Sequence, residues 1–410
     1  MILILNPAGF FGCFRPLEIA GAPRPVFTFE KRRIALPSLQ DLGWSDFFAS
    51  QLAEVPADSD VVVARVAEEN REMFRLLSPQ GEFMAEVSGK FRHEVTGRAD
   101  FPAVGDWVLA STRKEESRAT IHRVLNRKSK FSRKIAGKKT EEQIVAANVD
   151  VVFIVSSLNS EFNLRRLERY VALAWESGAQ PVIVLNKSDL SEDSEEHRRE
   201  AQAAAIGVRV ILSSALRGDG IEEIRELMRS ASEKTDGTES VAKAIRVAKT
   251  AALLGSSGVG KSSLINAILG MQLLDTGEIR ASDDRGRHTT TTRHLIVAPN
   301  GGVLIDTPGM RELQLWDASE GIDQAFGEIA ELAANCKFRD CQHVNEPGCA
   351  VRAAVESGEL AAERLESFHK LGREEKFVAA KQYAAVRAEQ TKALKQLMKR
   401  QNRFYRDRGR

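Results

Sequence analysis

The sequence predicts a multidomain chain: an all-β OB-fold barrel, an α/β domain of P-loop type and a small helical C-terminal domain. Three observations carry this reading. Short alternating apolar runs, separated by turn residues, fill the stretch from Val61 to about Phe131. From Val149 to about Gln314, apolar strands alternate with amphipathic helical stretches. Beyond Gly321 the chain reads as helical, apart from one segment that holds three of its four cysteines, Cys336–Cys349. A length of 410 residues exceeds what one hydrophobic core usually carries, and a composition 43% hydrophobic and 28% charged is that of a globular protein. The expected divisions are 1–58, a Pro- and Gly-rich N-terminal extension, partly disordered; 59–135, the barrel; 136–318, the α/β domain; and 319–410, the C-terminal domain with a basic tail.

The extension offers one short helical stretch, LGWSDFFASQL (Leu42–Leu52). The opening MILILNPAGFFGC is apolar but short, and it lacks a basic n-region and a small-residue cleavage site, so it does not read as a signal peptide. No run approaches the ~18 apolar residues of a membrane span. The runs VVVARV, EMFRLL, GEFMAEVSG, GDWVLAS and ATIHRVL give five short strands, the number of an OB barrel. The strands of the α/β region are VDVVFIV, PVIVLN, VRVILSS, KTAALLG, RHLIVAP and GGVLIDT. Their alternation with helices implies a mostly parallel sheet covered on both faces.

The chemistry of the α/β region is written in its motifs. GSSGVGKSS (Gly255, Ser256, Ser257, Gly258, Val259, Gly260, Lys261, Ser262, Ser263) fits G-x-x-x-x-G-K-[ST] and stands between a strand and a helix, as a phosphate-binding loop must. Its glycines let backbone N–H groups face phosphate oxygens, Lys261 reaches the β- and γ-phosphates, and the Ser262 hydroxyl binds Mg²⁺. NKSD (Asn186, Lys187, Ser188, Asp189) ends the strand PVIVL, where α/β sheets bind ligands. The Asp189 carboxylate accepts from both N1–H and N2–H of guanine; adenine offers no such donor pair. SSA (Ser213, Ser214, Ala215) follows VRVIL and directs the Ala215 N–H at guanine O6. DTPG follows GGVLI, with Asp306 holding Mg²⁺ through water and the Gly309 N–H sensing the γ-phosphate. GRHTTTT (Gly286–Thr292) supplies a hydroxyl to the Mg²⁺ shell when GTP is bound, and Thr290 is the candidate.

The order of these motifs is permuted. NKSD and SSA precede the phosphate-binding loop, and GRHTTTT and DTPG follow it. The same sheet forms if the old termini are joined and new ones open elsewhere. The γ-phosphate-sensing segment then leads directly into the C-terminal domain, so nucleotide state can act on that domain.

Cys336, Cys341, His343 and Cys349 give C-x₄-C-x-H-x₅-C. Three thiolates and an imidazole suit one tetrahedral, structural Zn²⁺. The clustering points to metal rather than disulfides and to a reducing cytoplasm. Net charge is only +2, but basic residues cluster at Arg123, Arg127, Lys128, Lys130, Arg133, Lys134, Lys138 and Lys139, and again from Lys392 to Arg410, where Phe404 and Tyr405 offer stacking surfaces. Such clusters suit a nucleic-acid backbone, or else a solvated surface.

With these residues in hand, the sequence resembles the ribosome small-subunit-dependent GTPase family, known as RsgA or YjeQ. FPAVGDWV (Phe101–Val108), NKSD, GSSGVGKSSLIN, GRHTTTTR, DTPGMRE and CKFRDCQHVNEPGCAV carry the resemblance, which runs from about Val61 to the C-terminus. It implies an OB-fold, a circularly permuted GTPase domain, a zinc-binding C-terminal domain and a role in late maturation of the small ribosomal subunit, with its rRNA as partner. The chain is read as a cytoplasmic monomer that binds GTP and GDP with Mg²⁺. The residue after D-x-x-G, where many GTPases place a water-orienting glutamine, is Met310, which cannot do this. His288 is the substitute on the page, and the resemblance points to the same residue. A non-enzymatic RNA-binding factor that uses GTP only as a switch is the alternative. A zinc-dependent transcription factor is disfavoured, because the Cys/His spacing is not that of a DNA-reading finger.

Overall fold

The computed structural model describes residues 4–5, 11–17, 26–30, 36–53, 61–70, 72–95, 97–135, 141–159, 162–231, 246–274, 293–299, 301–306, 319–377, 380 and 391. Within the N-terminal extension, β1 (Ile4–Leu5), β2 (Phe11–Leu17) and β3 (Val26–Glu30) form an antiparallel sheet, and α1 (Asp46–Ala49) runs on into a 3₁₀ turn ending at Leu52.

The barrel consists of β4 (Val61–Asn70), β5 (Met73–Ser78), β6 (Gly81–Val87), β7 (Trp107–Arg113) and β8 (Arg118–Val124), with α2 (Gly89–Glu94) between the third and fourth strands. Their order is β4-β5-β6-β8-β7, and β7 pairs back with β4, which closes the barrel. Only the β6–β8 pairing is parallel. Alternation sets its core: Ala64, Val66, Phe74, Leu76, Phe83, Ala85, Val108, Ala110 and Ile121 point inward together. Ser88 caps α2 by accepting from the Phe91 N–H at 3.1 Å.

A hairpin, β9 (Lys130–Ile135) and β10 (Glu141–Ala147), leads into the α/β domain. There β11 (Val151–Ser157), α3 (Leu164–Glu176), β12 (Gln180–Asn186), α4 (Ser194–Ala204), β13 (Arg209–Ser213) and α5 (Ile221–Leu227) come first. The small pair β14 (Arg229–Ala231) and β15 (Arg246–Ala248) precedes β16 (Thr250–Leu254), α6 (Lys261–Leu269), β17 (His294–Val297) and β18 (Val303–Asp306). The sheet runs β13-β12-β11-β16-β18-β17, all parallel except β17. All six strands read from the sequence are present. Buried Val151, Phe153 and Val155 on β11, with Val182 and Val184 on β12, pack on Leu264, Ile265 and Ile268 of α6. Continuous apolar runs are what a sheet covered on both faces requires.

Arg65 on β4 joins three segments. Its guanidinium is fully buried and donates to Leu42 O, to Gly105 O at 3.2 Å and to Asn148 O at 3.2 Å, 5.3 Å from the Trp107 ring centre. Burial pulls its pKa down to about 10. Gly105 lies so close to Ala147 O, at φ +94°, that no Cβ fits there.

The C-terminal domain, α7 (Ser319–Ala325), α8 (Gly327–Ala333), α9 (Ala350–Ser357) and a helix over residues 362–377, docks on α3 and α4. Gly321 of α7 sits against Ala172 O and donates its N–H to Glu176 Oε2 at 3.0 Å. Arg364 fastens the joint. It pairs with Glu168 of α3 at 2.9 Å and Glu328 of α8 at 2.6 Å, donates to Ala204 O and Ala325 O, and stacks 3.9 Å over Phe326.

Candidate GTP site and metal centre

Three of the permuted motifs, NKSD, SSA and the phosphate-binding loop, meet in one place. β16 delivers the loop Gly255–Gly260 to the N-terminus of α6, and β12 delivers Asn186–Asp189 beside it. Asn186 is buried and does the joining: its Nδ2 donates to Val259 O at 2.9 Å, and its Oδ1 accepts from the Ala215 N–H at 3.2 Å. One side chain thus ties NKSD to both the phosphate loop and the SSA segment. Lys187 takes a left-handed backbone (φ 62°) and sends its Nζ to Gly258 O at 2.8 Å. Gly260, at φ 91°, lies where a Cβ would fall on Asn186 Nδ2, so the last glycine of the loop is required by the base-binding strand as well as by phosphate.

Lys261 Nζ donates to Gly255 O at 2.8 Å and Ser256 O at 2.5 Å. The Ser256 hydroxyl is met from outside the loop by Arg166 of α3, at 2.8 Å. No sequence motif marks Arg166 for this contact. Ser188 and Asp189 form a 3₁₀ turn, partly exposed, at the mouth of the site. Ser213 and Ser214 are fully buried, and Ser214 Oγ accepts from the Arg217 N–H at 3.1 Å. Ser257 stands in the turn of the loop, and Ser262 and Ser263 in the first turn of α6. Asp306 closes β18. Burial raises its carboxyl pKa, while His294 and Lys261 pull it down. Ser262 and Asp306 supply a hydroxyl and a carboxylate, the donor set Mg²⁺ takes beside a nucleotide phosphate. A bound Mg²⁺ would keep the Asp306 carboxyl ionised. His288, Thr290, Gly309 and Met310 lie outside the described residues.

Cys336, Cys341, His343 and Cys349 place their ligand atoms within 4.8 Å of one another. The Sγ atoms of Cys336 and Cys349 are 3.9 Å apart, and His343 Nδ1 lies 3.6 Å and 3.4 Å from them. Zn–S bonds of about 2.3 Å at tetrahedral angles put sulfurs about 3.8 Å apart, so the four groups fit zinc. Burial lowers the His343 pKa, which favours the neutral, ligating imidazole. A zinc ion here would hold the loop closed, with no position left for chemistry. Three local devices shape the loop. His343 adopts φ 60°. Cys349 caps α9, accepting from the Arg352 N–H. Glu346 accepts from the N–H groups of Gln342, Val344 and Asn345 at 2.9–3.0 Å, which holds its pKa down at about 2.

The basic stretch is partly structural, a correction to the sequence reading. Arg127 is turned inward: it pairs with the fully buried Asp106 at 2.7 Å and donates to Ala99 O and Phe101 O. A buried carboxylate needs a partner, and Arg127 is that partner. Lys128 pairs with Asp150 at 2.8 Å and Lys130 with Glu142 at 3.0 Å. Arg123 stays exposed. Lys138, Lys139 and the tail from Lys392 lie outside the described residues. Among the described residues, no helix is long and apolar enough to cross a membrane.

A family model described as RsgA GTPase matches residues 124–316. The small ribosomal subunit biogenesis GTPase RsgA of Opitutus terrae is 44% identical over 351 residues, 83% of this chain and 91% of that protein. RsgA 2 of Lactiplantibacillus plantarum is 42% identical over 358 residues, 87% of this chain and 96% of that protein. Among solved structures, YjeQ from Thermotoga maritima superposes with a TM-score of 0.55 at 29% identity, over 76% of this chain and 97% of that one. YloQ, described as a circularly permuted GTPase, gives a TM-score of 0.53 at 23% identity, over 77% of this chain and 95% of that one, a likeness of fold. With relatives above 40% identity along most of its length, and with NKSD, SSA and the phosphate-binding loop joined through Asn186, the chain belongs to the RsgA GTPase family.

Proposed function

We propose that this protein is a GTPase of small ribosomal subunit biogenesis: it binds the small subunit and its rRNA and hydrolyses GTP to GDP and phosphate during late maturation. The observation that carries the reading is Asn186, whose two amide atoms bind Val259 and Ala215 and so bring the guanine-reading and phosphate-binding segments into one site. In this reading Asp189 selects guanine, and Gly255–Ser263 bind the phosphates. Ser262, Asp306 and Thr290 serve Mg²⁺, and the Gly309 N–H senses the γ-phosphate. His288 positions the attacking water in place of the glutamine that Met310 replaces. Zinc at Cys336, Cys341, His343 and Cys349 is structural. The protein works as a monomer in the cytoplasm.

The test is single-turnover GTP hydrolysis with small subunits, large subunits or free rRNA added. Small subunits should accelerate the reaction and the other two should not. His288→Ala should cost about 10²-fold or more in the stimulated rate and leave GTP affinity nearly unchanged. Equal rates for wild type and His288→Ala would assign the water-positioning group to the ribosome. Hydrolysis that no added subunit changes would remove the subunit-stimulated reading, and GTP bound but never hydrolysed would leave a GTP-controlled binding switch.

A further inference from the structure

One register line crosses four consecutive strands. Arg75 on β5 stands opposite Glu68 on β4, Glu68 opposite His294 on β17, and His294 opposite Asp306 on β18. Directly opposed residues share a sheet face, with Cβ atoms about 4.5–5.5 Å apart. The line therefore starts on the barrel and ends at the carboxylate assigned to Mg²⁺. Its barrel half is an ion-pair chain: Arg75 Nη1 lies 3.3 Å from Glu82 Oε1, Arg75 Nε 3.1 Å from Glu68 Oε2, and the same Glu68 oxygen 3.5 Å from His294 Nδ1. The His294 hydrogen bond is the largest influence holding the Glu68 carboxyl below its ordinary range.

The position of this row is set by the fold. A bulge in β4 between Val66 and Glu68 re-aims the strand where it leaves the barrel. His294–Glu68 is the one strand-ladder pair that joins the barrel to the GTPase sheet among the described residues, and Arg293 beside it reaches Glu69 of β4 at 3.7 Å. Arg75 faces out of the barrel, because its neighbours Phe74 and Leu76 fill the barrel core. At the other end, β17 begins directly after the threonine segment and β18 ends where DTPG begins. His294 thus stands in register between two carboxylates, its Nδ1 3.5 Å from Glu68 Oε2 and its electrostatic influence pulling down the pKa of Asp306.

We infer that His294 is a positioning residue for GTP hydrolysis, through which the Arg75–Glu68 pair on the barrel sets how Asp306 is presented to Mg²⁺. This rests on the reading of the chain as an RNA-stimulated GTPase. His294 touches no reacting atom in this role; it acts through Asp306.

The experiment compares wild type, Arg75→Ala, His294→Ala and the double variant in two assays. The first is single-turnover hydrolysis on saturating small subunits. Each single variant should lose about tenfold in stimulated rate, and the double variant no more than either, as coupled neighbours behave. The second omits subunits and reads the Mg²⁺ concentration that half-saturates binding of a fluorescent, non-hydrolysable GTP analogue. His294→Ala and Glu68→Gln should raise it several-fold and His294→Gln should return most of the shift, all read well below each variant's thermal midpoint. Losses that multiply to about a hundredfold in the double variant would overturn the inference, as would a Mg²⁺ requirement that none of the substitutions moves. If small subunits fail to stimulate wild type, the functional reading fails, and the Mg²⁺ requirement alone decides whether the row positions Asp306.

Discussion

The Asn186 amide reaches across 73 residues of sequence to donate to Val259 O at 2.9 Å, and the same side chain accepts from the Ala215 N–H. In a permuted chain the base-reading and phosphate-binding segments are made in the opposite order, yet the contact that couples them survives, because it depends on neighbouring strands and not on their succession.

Asn186→Ala should therefore weaken GTP and GDP together. Two hydrogen bonds are lost, the buried one to Val259 O and the half-buried one from the Ala215 N–H, and stranding the buried Val259 O costs about 1–3 kcal/mol. Asp189→Asn should act differently, shifting preference from guanine to xanthine while the phosphate loop remains intact. Fluorescence titration with labelled GDP, XDP and ADP distinguishes the two. Wild-type protein that binds ADP as tightly as GDP would remove the guanine reading.

Arg364 is buried with 6% of its side chain exposed, and its partner Glu168 with 5%. Arg364→Met should cost about 3–5 kcal/mol of stability, because it leaves a carboxylate buried without its cation. Adding Glu168→Gln should recover part of that loss. Urea unfolding measures both, and equal stability of wild type and Arg364→Met would show that the joint between the domains bears no load.

The zinc loop has two handles. One zinc per chain is expected by elemental analysis of protein purified without chelator, and Cys341→Ser should loosen the C-terminal domain without changing GTP affinity. Glu346 gives a pH signature. Its pKa lies at about 2 against an ordinary 4.5, so its stabilisation is complete above about pH 4.5 and is lost as the pH falls toward 2. Glu346→Gln should lower the unfolding midpoint of the domain near neutrality. The gap to wild type should close as the pH drops below about 4.5, read by amide hydrogen exchange in residues 336–349.

Much of this architecture was legible in the sequence because its signals are local. Six apolar runs in α/β alternation and five short alternating runs gave the strands, and the spacing of Cys336, Cys341, His343 and Cys349 gave the metal centre. What stayed hidden depends on register and burial. Arg127 reads as one more cation in a basic stretch, and only the fold places it against Asp106. Arg364 lies in a polar, charged segment that looks like surface, and becomes the centre of an interface once α3 packs on α7. Arg75, Glu68, His294 and Asp306 are ordinary residues of four separate strands until the bulge in β4 fixes which of them stand opposite one another.

Arg65 has a consequence for where this protein can be trimmed. One of its carbonyl partners is Leu42, which belongs to the stretch first counted as an extension. Removing the chain up to residue 35 leaves that guanidinium satisfied. Removing it up to residue 58 takes away Leu42, together with Trp44 and Phe48 that pack beside Trp107, and leaves a buried cation one acceptor short. The first severable joint of the molecule thus precedes residue 36, and the short helix at Asp46–Ala49 is a plug in the barrel's flank, as much a part of the enzyme as the strands it seals.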